Sequence, residues 1–324
     1  DSNYPIHVLD YLSHIEKQYG VDSFIEAILN FSEKRVLVIG EVIVDEYTYV
    51  SGLGKPSKEN ILSTLFNNTS EFMGGIIPIV NTVAELSKNV DLLTMVGEDD
   101  LKSNKTKSYL KQSIRYHAFS QPNGFTTRKQ RIVDKDHFRK LFEINYVSEA
   151  QDNKTSEDVE NWLHANIKEY DLVLVCDFGH GLIRKETADI LSKKSKFLCI
   201  YVQTNSYNRG FNLVCKYETA DFACIDGPEA RLATVDKKGS IESIARKIKK
   251  NLSNEAIVVT SGKDGAVGIN TNDECIKVPA LTVNPVDTMG AGDAFFTLAS
   301  CCFFETRSIE MACFVGNAYA SICL

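Results

Sequence analysis

No apolar run in this 324-residue chain is long enough to span a bilayer, and basic residues do not outnumber acidic ones. Lys and Arg total 36 against 43 Asp and Glu, a formal net charge of −7, which argues against a general role at nucleic acids or membrane surfaces. The nine cysteines are an odd number without CxxC spacing, which argues against a zinc site. Most of them lie in apolar runs, which indicates reduced core residues and a cytoplasmic protein.

Several common catalytic signatures are missing as well. The chain contains no GxxxxGK[ST] loop, no HExxH and no GxSxG sequence. The catalytic-loop set of protein kinases is absent, and the letters CDFGHG match its DFG motif only by coincidence. A P-loop grip on phosphate is therefore excluded.

Short apolar strands alternate with helical segments along most of the chain. The strand candidates include RVLVIGEVIVDEY, DLVLVCDFG, FLCIYVQT and AIVVTSG, and amphipathic helices such as SEDVENWLHANIKEY lie between them. This alternation predicts one α/β domain over residues 34–324, with a mostly parallel sheet covered on both faces. A small β excursion is expected near 45–70 and 115–147, where TTRKQRIVD and KLFEINYV look like a hairpin.

The segment before the first strand has a helical pattern of its own. Apolar residues recur at helical spacing through residues 1–33, which predicts a helical extension or a linker. Because the chain does not begin with methionine, we expect it to be a piece of a longer protein.

A glycine-rich turn opens the last long helical part of the chain. The sequence NPVDTMGAGDAFF places Gly290, Ala291, Gly292 and Asp293 at the start of a helix, where backbone N–H groups have no partner in the helix ladder. Together with the positive end of the helix dipole, these groups form an anion site that glycine leaves open to close approach. Taken alone, Asp293 is either a catalytic carboxylate or an ordinary helix N-cap.

Polar residues follow several of the predicted strands. Asp45, Asp177 and the pair Thr260 and Gly262 stand at carboxyl ends of strands, the edge where open parallel sheets gather ligands. Each feature also has an ordinary explanation: a solvated or capping carboxylate, a tight turn at the paired glycines of MGGI, or an acidic first helix turn in DGPEARLA. Their occurrence in one order, all at strand ends, favours a shared site.

The combination of these motifs resembles one known family. VDTMGAGDAFF resembles DTxGAGD, the highly specific C-terminal signature of the ribokinase (PfkB) superfamily of carbohydrate kinases. GEVIVDEY and FMGGIIPIVNTVAEL resemble its sugar-binding elements, and IVVTSGKDGA resembles its nucleotide-binding turn. The motif order is most similar to the heptose-phosphate kinase branch (the kinase domain of ADP-heptose synthase), which is often fused to a cytidylyltransferase or adenylyltransferase domain. The resemblance covers residues 34–324 and implies a ribokinase-like three-layer α/β sandwich with a mostly parallel central sheet and a small β lid.

The resemblance also implies a reaction, namely ATP- and Mg²⁺-dependent phosphoryl transfer to a hydroxyl of a sugar or sugar phosphate. Asp293 would be the general base, and the amides of the turn 290–292 would stabilise charge on the transferring group. Glu229 would orient Mg²⁺ through water, with Asp226 in place of the Asn usual in that motif. The other implied contacts are nucleotide contacts at Thr260, Gly262, Gly265, Asp287, Thr288 and Asn317, and substrate contacts at Asp45, Gly74, Gly75, Asn81, Lys129, Arg131 and Asp177.

Two further positions depart from the family pattern. Pro78 interrupts the predicted helix where the family usually offers a sugar-binding Asn, and Asn81, a turn later, is the candidate substitute. His180 stands where a Lys is common, which removes a fixed positive charge. These changes bear on the sugar rather than on phosphoryl transfer.

Basic residues collect in the predicted hairpin although the chain is acidic. Strand alternation places Lys129 and Arg131 on one face, which predicts that the acceptor already carries a phosphate, unless the cluster is a solvated face. An apolar face of the same lid predicts a homodimer. Two rival functions remain: a nucleoside kinase of the same fold, against which the basic lid argues, and a catalytically silent sugar-binding domain of a fused nucleotidyltransferase, against which the intact turn at Asp293 argues.

Overall fold

The computed structural model describes residues 4–121, 124–148, 153–281 and 290–323. Its strands in chain order are β1 (Arg35–Gly40), β2 (Val42–Gly54), β3 (Ser63–Gly75), β4 (Asn89–Gly97), β5 (Arg115–Gln121), β6 (Arg128–Asp134), β7 (Arg139–Tyr146), β8 (Leu172–Asp177), β9 (Leu198–Val202), β10 (Phe222–Asp226), β11 (Ala256–Thr260), β12 (Ala266–Ile269) and β13 (Cys275–Val278). Its helices are α1 (Ile6–Phe31), α2 (Ile76–Leu86), α3 (Glu98–Ser103), α4 (Asn153–Asn166), α5 (Lys185–Lys194), α6 (Gly227–Thr234), α7 (Ile241–Leu252), α8 (Ala291–Thr306) and α9 (Ile309–Cys323). Within the described ranges, no helix has both the length and the apolar character needed to cross a membrane.

A nine-stranded sheet forms the centre of the molecule, in the order β13-β12-β11-β10-β9-β8-β1-β4-β5. The pairs from β5 to β11 are parallel, and β12 and β13 add to the β11 edge in antiparallel fashion. All six residues of Leu172–Asp177 are buried, as expected for a central strand covered on both faces. The prediction of a mostly parallel α/β sheet is therefore confirmed.

Two apolar cores lie on opposite faces of this sheet. Alternation along β1 sends Val36 and Val38 into one core and Leu37 and Ile39 into the other. The first core includes residues of α2, α8 and α9, and the second includes residues of α4, α5, α6 and α7. The result is three layers, helix–sheet–helix, with strand carboxyl ends collected along one edge.

The small sheet is the four-stranded assembly β3-β2-β6-β7. β6 and β7 form the antiparallel hairpin predicted from the sequence, and β6 also pairs with β2 in parallel. The expectation that the second excursion starts near residue 115 was wrong, because β5 pairs with β4 at the edge of the main sheet. The first excursion is longer than expected and runs through β2 and β3, from Val42 to Gly75.

The N-terminal helix α1 packs on the same core as α8 and α9. It changes direction at Gly20, where φ is 65°. On either side of this kink, the rings of Tyr11 and Phe24 lie 6.3 and 5.3 Å from the ring of Phe314. The Tyr19 hydroxyl donates a 2.8 Å hydrogen bond to Glu310 Oε2. The predicted helical segment therefore rests against the α/β layers.

Candidate active site

A cavity of about 580 Å³ opens at the carboxyl ends of the main-sheet strands. Its walls come from the small sheet, from strand ends of the main sheet and from the first turn of α8. The residues that were predicted from the sequence and that line it are Asp45, Gly75, Lys129, Arg131, Asp226, Glu229, Thr260, Gly262, Gly265, Gly290, Ala291, Gly292, Asp293 and Asn317. Asp287 and Thr288 lie outside the described residues.

Asp293 is the third residue of α8, and its side chain is not a helix cap. The N-cap is Gly290, which has a φ of 80° and provides no side-chain hydrogen bond. Asp293 Oδ1 instead accepts a 2.8 Å hydrogen bond from Gln203 Nε2 at the end of β9. Burial raises the pKa of Asp293 to about 7, although the Gln203 amide and the charge of Lys129 oppose the shift. The N-cap explanation of Asp293 is therefore wrong.

The glycine at position 292 allows a buried tyrosine to lie directly under the turn. A Cβ atom at this position would lie 2.2 Å from the hydroxyl oxygen of Tyr201. Tyr201 is held in turn by stacking on Phe296, with ring centroids 5.3 Å apart. The backbone at the start of α8 therefore rests on this aromatic pair and lines the cavity with no Cβ at position 292.

A second carboxylate, that of Glu229, is held by the same strand end. Its Oε1 accepts a 2.7 Å hydrogen bond from the Thr204 backbone N–H, whereas its buried Oε2 has no hydrogen-bond partner in the described part of the chain. Burial raises the pKa of Glu229 to about 7, and nearby Asp226 and Asp293 add to the shift. Burial also raises the pKa of Asp226. A water molecule bound to a cation would donate a hydrogen bond to this Oε2 atom. The charge of the cation would also lower the raised pKa values of Glu229 and Asp226.

The two basic residues predicted to face the substrate have different surroundings. Arg131 donates from Nη1 to Asp45, and its Nε lies 3.1 Å from Glu143 Oε2, so two carboxylates already match its charge. Lys129 forms no ion pair within 4 Å among the described residues, and burial lowers its pKa. Of the two, Lys129 is the cation whose charge is left for a ligand.

The side chain of Asn81 makes its hydrogen bonds outside the cavity. Its amide donates to the carbonyl of Tyr109 at 2.9 Å, and its Oδ1 accepts from the Lys111 N–H at 3.0 Å, which ties α2 to the loop after α3. It does not line the cavity. Pro78 does not interrupt α2, because it occupies the first turn, where a backbone N–H has no helical partner to lose.

Gly74 and Asp177 support the cavity without lining it. A Cβ at Gly74 would lie 2.2 Å from Asp45 Oδ2, so this glycine leaves room for that carboxylate. Asp177 is fully buried, 2.5 Å from Lys216 Nζ and 2.9 Å from the Tyr217 hydroxyl that donates to it. The pKa of neighbouring Glu41 is raised to about 7 by burial and by the charge of Asp177. Through its two oxygens, Glu41 accepts the N–H groups of residues 178 and 180 and so fixes the loop that contributes Phe178 to the wall.

Gln203, Thr204 and Tyr201 were missed in the sequence. A signal was present, because QT follows the apolar strand FLCIYV at a carboxyl end, as Asp177 ends its own strand. The signal is weak, since an uncharged amide at a strand end indicates a site less strongly than a carboxylate does. The prediction that Asp45 stands at a strand end was wrong, because Asp45 lies within β2, which continues to Gly54.

Comparison with known proteins agrees with this architecture. The family described as pfkB family carbohydrate kinase matches residues 33–324. The Bifunctional protein HldE of Shewanella amazonensis is 24% identical over 297 residues, which cover 90% of this chain and 60% of that protein. HldE of Histophilus somni is also 24% identical, over 295 residues with the same coverage. The chain thus spans about 60% of the length of these relatives.

Solved structures share the fold. A mutant of phosphofructokinase-2 from Escherichia coli superposes with a TM-score of 0.68 at 14% identity, covering 89% of this chain and 92% of that one. Ribokinase from Thermotoga maritima superposes with a TM-score of 0.67 at 21% identity and with the same coverage. At these identities the likeness shows the fold alone.

Proposed function

Since this chain belongs to the pfkB family of carbohydrate kinases, we propose that it transfers the γ-phosphoryl group of ATP to a hydroxyl of a sugar phosphate of the heptose-phosphate type. The observation that carries the proposal is the placement of Asp293, the turn at the start of α8 and Lys129 around one cavity. The HldE relatives, named as bifunctional proteins, support the heptose branch and a fused nucleotidyltransferase domain in the full-length protein.

Asp293 would take the proton of the attacking hydroxyl. A base acts best when its pKa lies near the working pH, and the pKa of Asp293 is raised to about 7. The N–H groups at the start of α8 would stabilise the charge that develops on the transferring phosphoryl oxygens. In this assignment, the first turn of α8 provides both the base, through the Asp293 side chain, and the N–H groups of the anion hole.

Glu229 and Asp226 would hold Mg²⁺ through its water shell. The unsatisfied Oε2 of Glu229 provides the acceptor for such a water. When bound, the ion would neutralise part of the nucleotide phosphate charge. Its charge would also favour the ionised forms of both carboxylates.

The nucleotide would lie along the turn between β11 and β12. Thr260, Gly262 and Gly265 line this side of the cavity, and so does Lys263, which was not singled out in the sequence. Gly265 has a φ of 83°, and a Cβ there would lie 1.9 Å from the carbonyl oxygen of Val278. Asn317 donates to the Pro279 carbonyl at 2.5 Å and so fixes the segment against which adenine would pack.

A panel of acceptors tests the proposal directly. ADP release would be measured with ATP and Mg²⁺ on heptose and hexose phosphates, on their unphosphorylated parents and on nucleosides. The proposal predicts turnover on a sugar phosphate. Turnover on nucleosides alone would favour the nucleoside kinase, and no turnover on any acceptor would favour the silent sugar-binding domain.

Replacing Lys129 by alanine is expected to lower kcat/KM selectively for a phosphorylated acceptor. A charge-assisted hydrogen bond contributes about 1.5–3 kcal/mol, so the loss should be roughly 10- to 100-fold on the sugar phosphate and smaller on its unphosphorylated parent. The matched control is Arg128→Ala, because Arg128 pairs with Glu46 and lies over the Tyr146 ring. Equal losses on both acceptors would assign Lys129 to the transferring phosphoryl group or to the fold instead.

The outer face of the small sheet is expected to form a homodimer. Phe142, Ile144 and Tyr146 lie at alternate positions of β7 and so share one face of the sheet, with Phe142 opposite Ile132 of β6. Lys129 lies on the other face. Phe142 is 56% exposed, so this apolar face is open to a partner. Light scattering at micromolar concentration should give twice the chain mass. Phe142→Glu should shift the protein towards monomer while its circular dichroism stays that of the folded parent, whereas a monomeric parent protein would contradict the dimer.

A further inference from the structure

The end of β9 holds two acidic groups of the cavity, those of Asp293 and Glu229, in place. Gln203 donates from Nε2 to Asp293 Oδ1 at 2.8 Å, and the next residue, Thr204, donates its backbone N–H to Glu229 Oε1 at 2.7 Å. The two contacts come from successive residues, so the positions of the base and of the metal-side carboxylate depend on one short segment.

The main chain of Gln203 is itself fixed on both sides. Its N–H donates to the Asp177 carbonyl at 2.9 Å, and its carbonyl accepts from Asn212 Nδ2 at 3.0 Å. A side chain on such a backbone can hold its partner at a defined angle, because neither its Cα nor its amide is free to shift.

We propose that Gln203 is a positioning residue for phosphoryl transfer, whose amide orients the Asp293 carboxylate towards the cavity and favours its ionised form. An N–H donor stabilises a carboxylate more than a carboxylic acid, since the negative charge strengthens the hydrogen bond. The role of Asp293 as a base rests on the proposed function. The hydrogen bond between Gln203 Nε2 and Asp293 Oδ1 does not depend on it.

Several other groups act on the same carboxylate. Burial is the main influence against ionisation, and Asp45 on β2 and Glu229 on α6 add like charge. Lys129 on β6 favours ionisation from across the cavity. Burial and the charge of Asp293 raise the pKa of Tyr201 on β9 and of Cys176 on β8 well above their usual values, so both stay neutral. Gln203 makes the direct hydrogen bond and is the largest single influence that favours the carboxylate.

The first test compares two variants of nearly equal size. Gln203→Met removes the donor and should move the acid limb of the kcat/KM profile upward by about one pH unit or more, with activity recovering at high pH. Gln203→Glu keeps the shape but places a second carboxylate against Asp293, so its shift should be larger still. If the residue only fills space, the methionine variant should instead resemble the parent enzyme, because methionine has nearly the same size as glutamine. Thermal melting of both variants would show that the fold is kept.

A second measurement separates this inference from the proposed function. The carboxyl ¹³C titration of Asp293, assigned by its loss in Asp293→Asn, should report the same upward shifts in the unliganded enzyme without any assay of activity. An unchanged Asp293 titration in both folded variants would overturn the role of Gln203, even if the enzyme proves to be a kinase. Shifted titrations in an enzyme that phosphorylates no acceptor would instead refute the proposed function alone.

Discussion

Asp293→Asn is expected to keep the fold and nucleotide binding but to lower kcat by about 10²–10⁴-fold, the usual contribution of general acid–base catalysis. Asparagine has nearly the same shape, and its side-chain oxygen can still accept the hydrogen bond from Gln203. What it lacks is the basicity needed to take the hydroxyl proton. The loss should therefore appear in kcat rather than in the binding of ATP.

The pH dependence gives this prediction a second check. Because the pKa of Asp293 is raised to about 7, the carboxylate is present above that pH and is lost as the pH falls through it. Wild-type kcat/KM should fall on the acidic side of about pH 7, and the residual activity of Asp293→Asn should lack this limb. Full turnover in Asp293→Asn, with ATP affinity measured by calorimetry as the control, would exclude the general-base mechanism.

The next largest effect is expected from Gly292→Ala. The added Cβ would lie 2.2 Å from the Tyr201 hydroxyl oxygen, so either the turn or the tyrosine must move. A displacement near 1 Å at the reacting groups can cost about 10²-fold in rate, and we expect a loss of that size in kcat. Overpacking of this kind also costs about 1–3 kcal/mol of folding stability.

A double variant can show that the collision is the cause. Tyr201→Phe removes the colliding oxygen, and the next nearest tyrosine atom, Cζ, would lie 3.3 Å from the new Cβ. Gly292→Ala combined with Tyr201→Phe should therefore recover part of the activity relative to Gly292→Ala alone. Gly52→Ala is the matched control, since a Cβ there would meet nothing within 4 Å. No recovery in the double variant would mean that position 292 acts through something other than Tyr201.

The main sheet and the position of the glycine turn before α8 could be predicted from the sequence for physical reasons. Central strands such as Leu172–Asp177 are buried on both faces and therefore read as continuous apolar runs. The turn at Gly290 combines a positive φ with a close approach at position 292, and both requirements select glycine. Such local constraints restrict which residue types can occupy a position, so they can be recognised in the sequence.

Contacts that depend on pairing between distant segments could not be predicted in this way. Arg131 is matched by Glu143 because the hairpin register places these two residues opposite each other, and a shift by one residue would have separated them. Asn81 was expected to bind sugar, but its amide is used by the loop at Tyr109. Gln203 reaches Asp293 across 90 residues of chain, a distance over which spacing carries no information.

The packing of α1 joins the start of the described chain to the helix that carries the proposed base. The ring of Phe31 lies 6.2 Å from that of Phe304 in the last turns of α8, and Asp293 stands in the first turn of the same helix. Phe304 also packs against Phe197, next to the strand that leads to Gln203. Because of these contacts, we expect residues 6–31 and α8 to open together, so that opening of α1 would lower the protection of α8 against amide exchange.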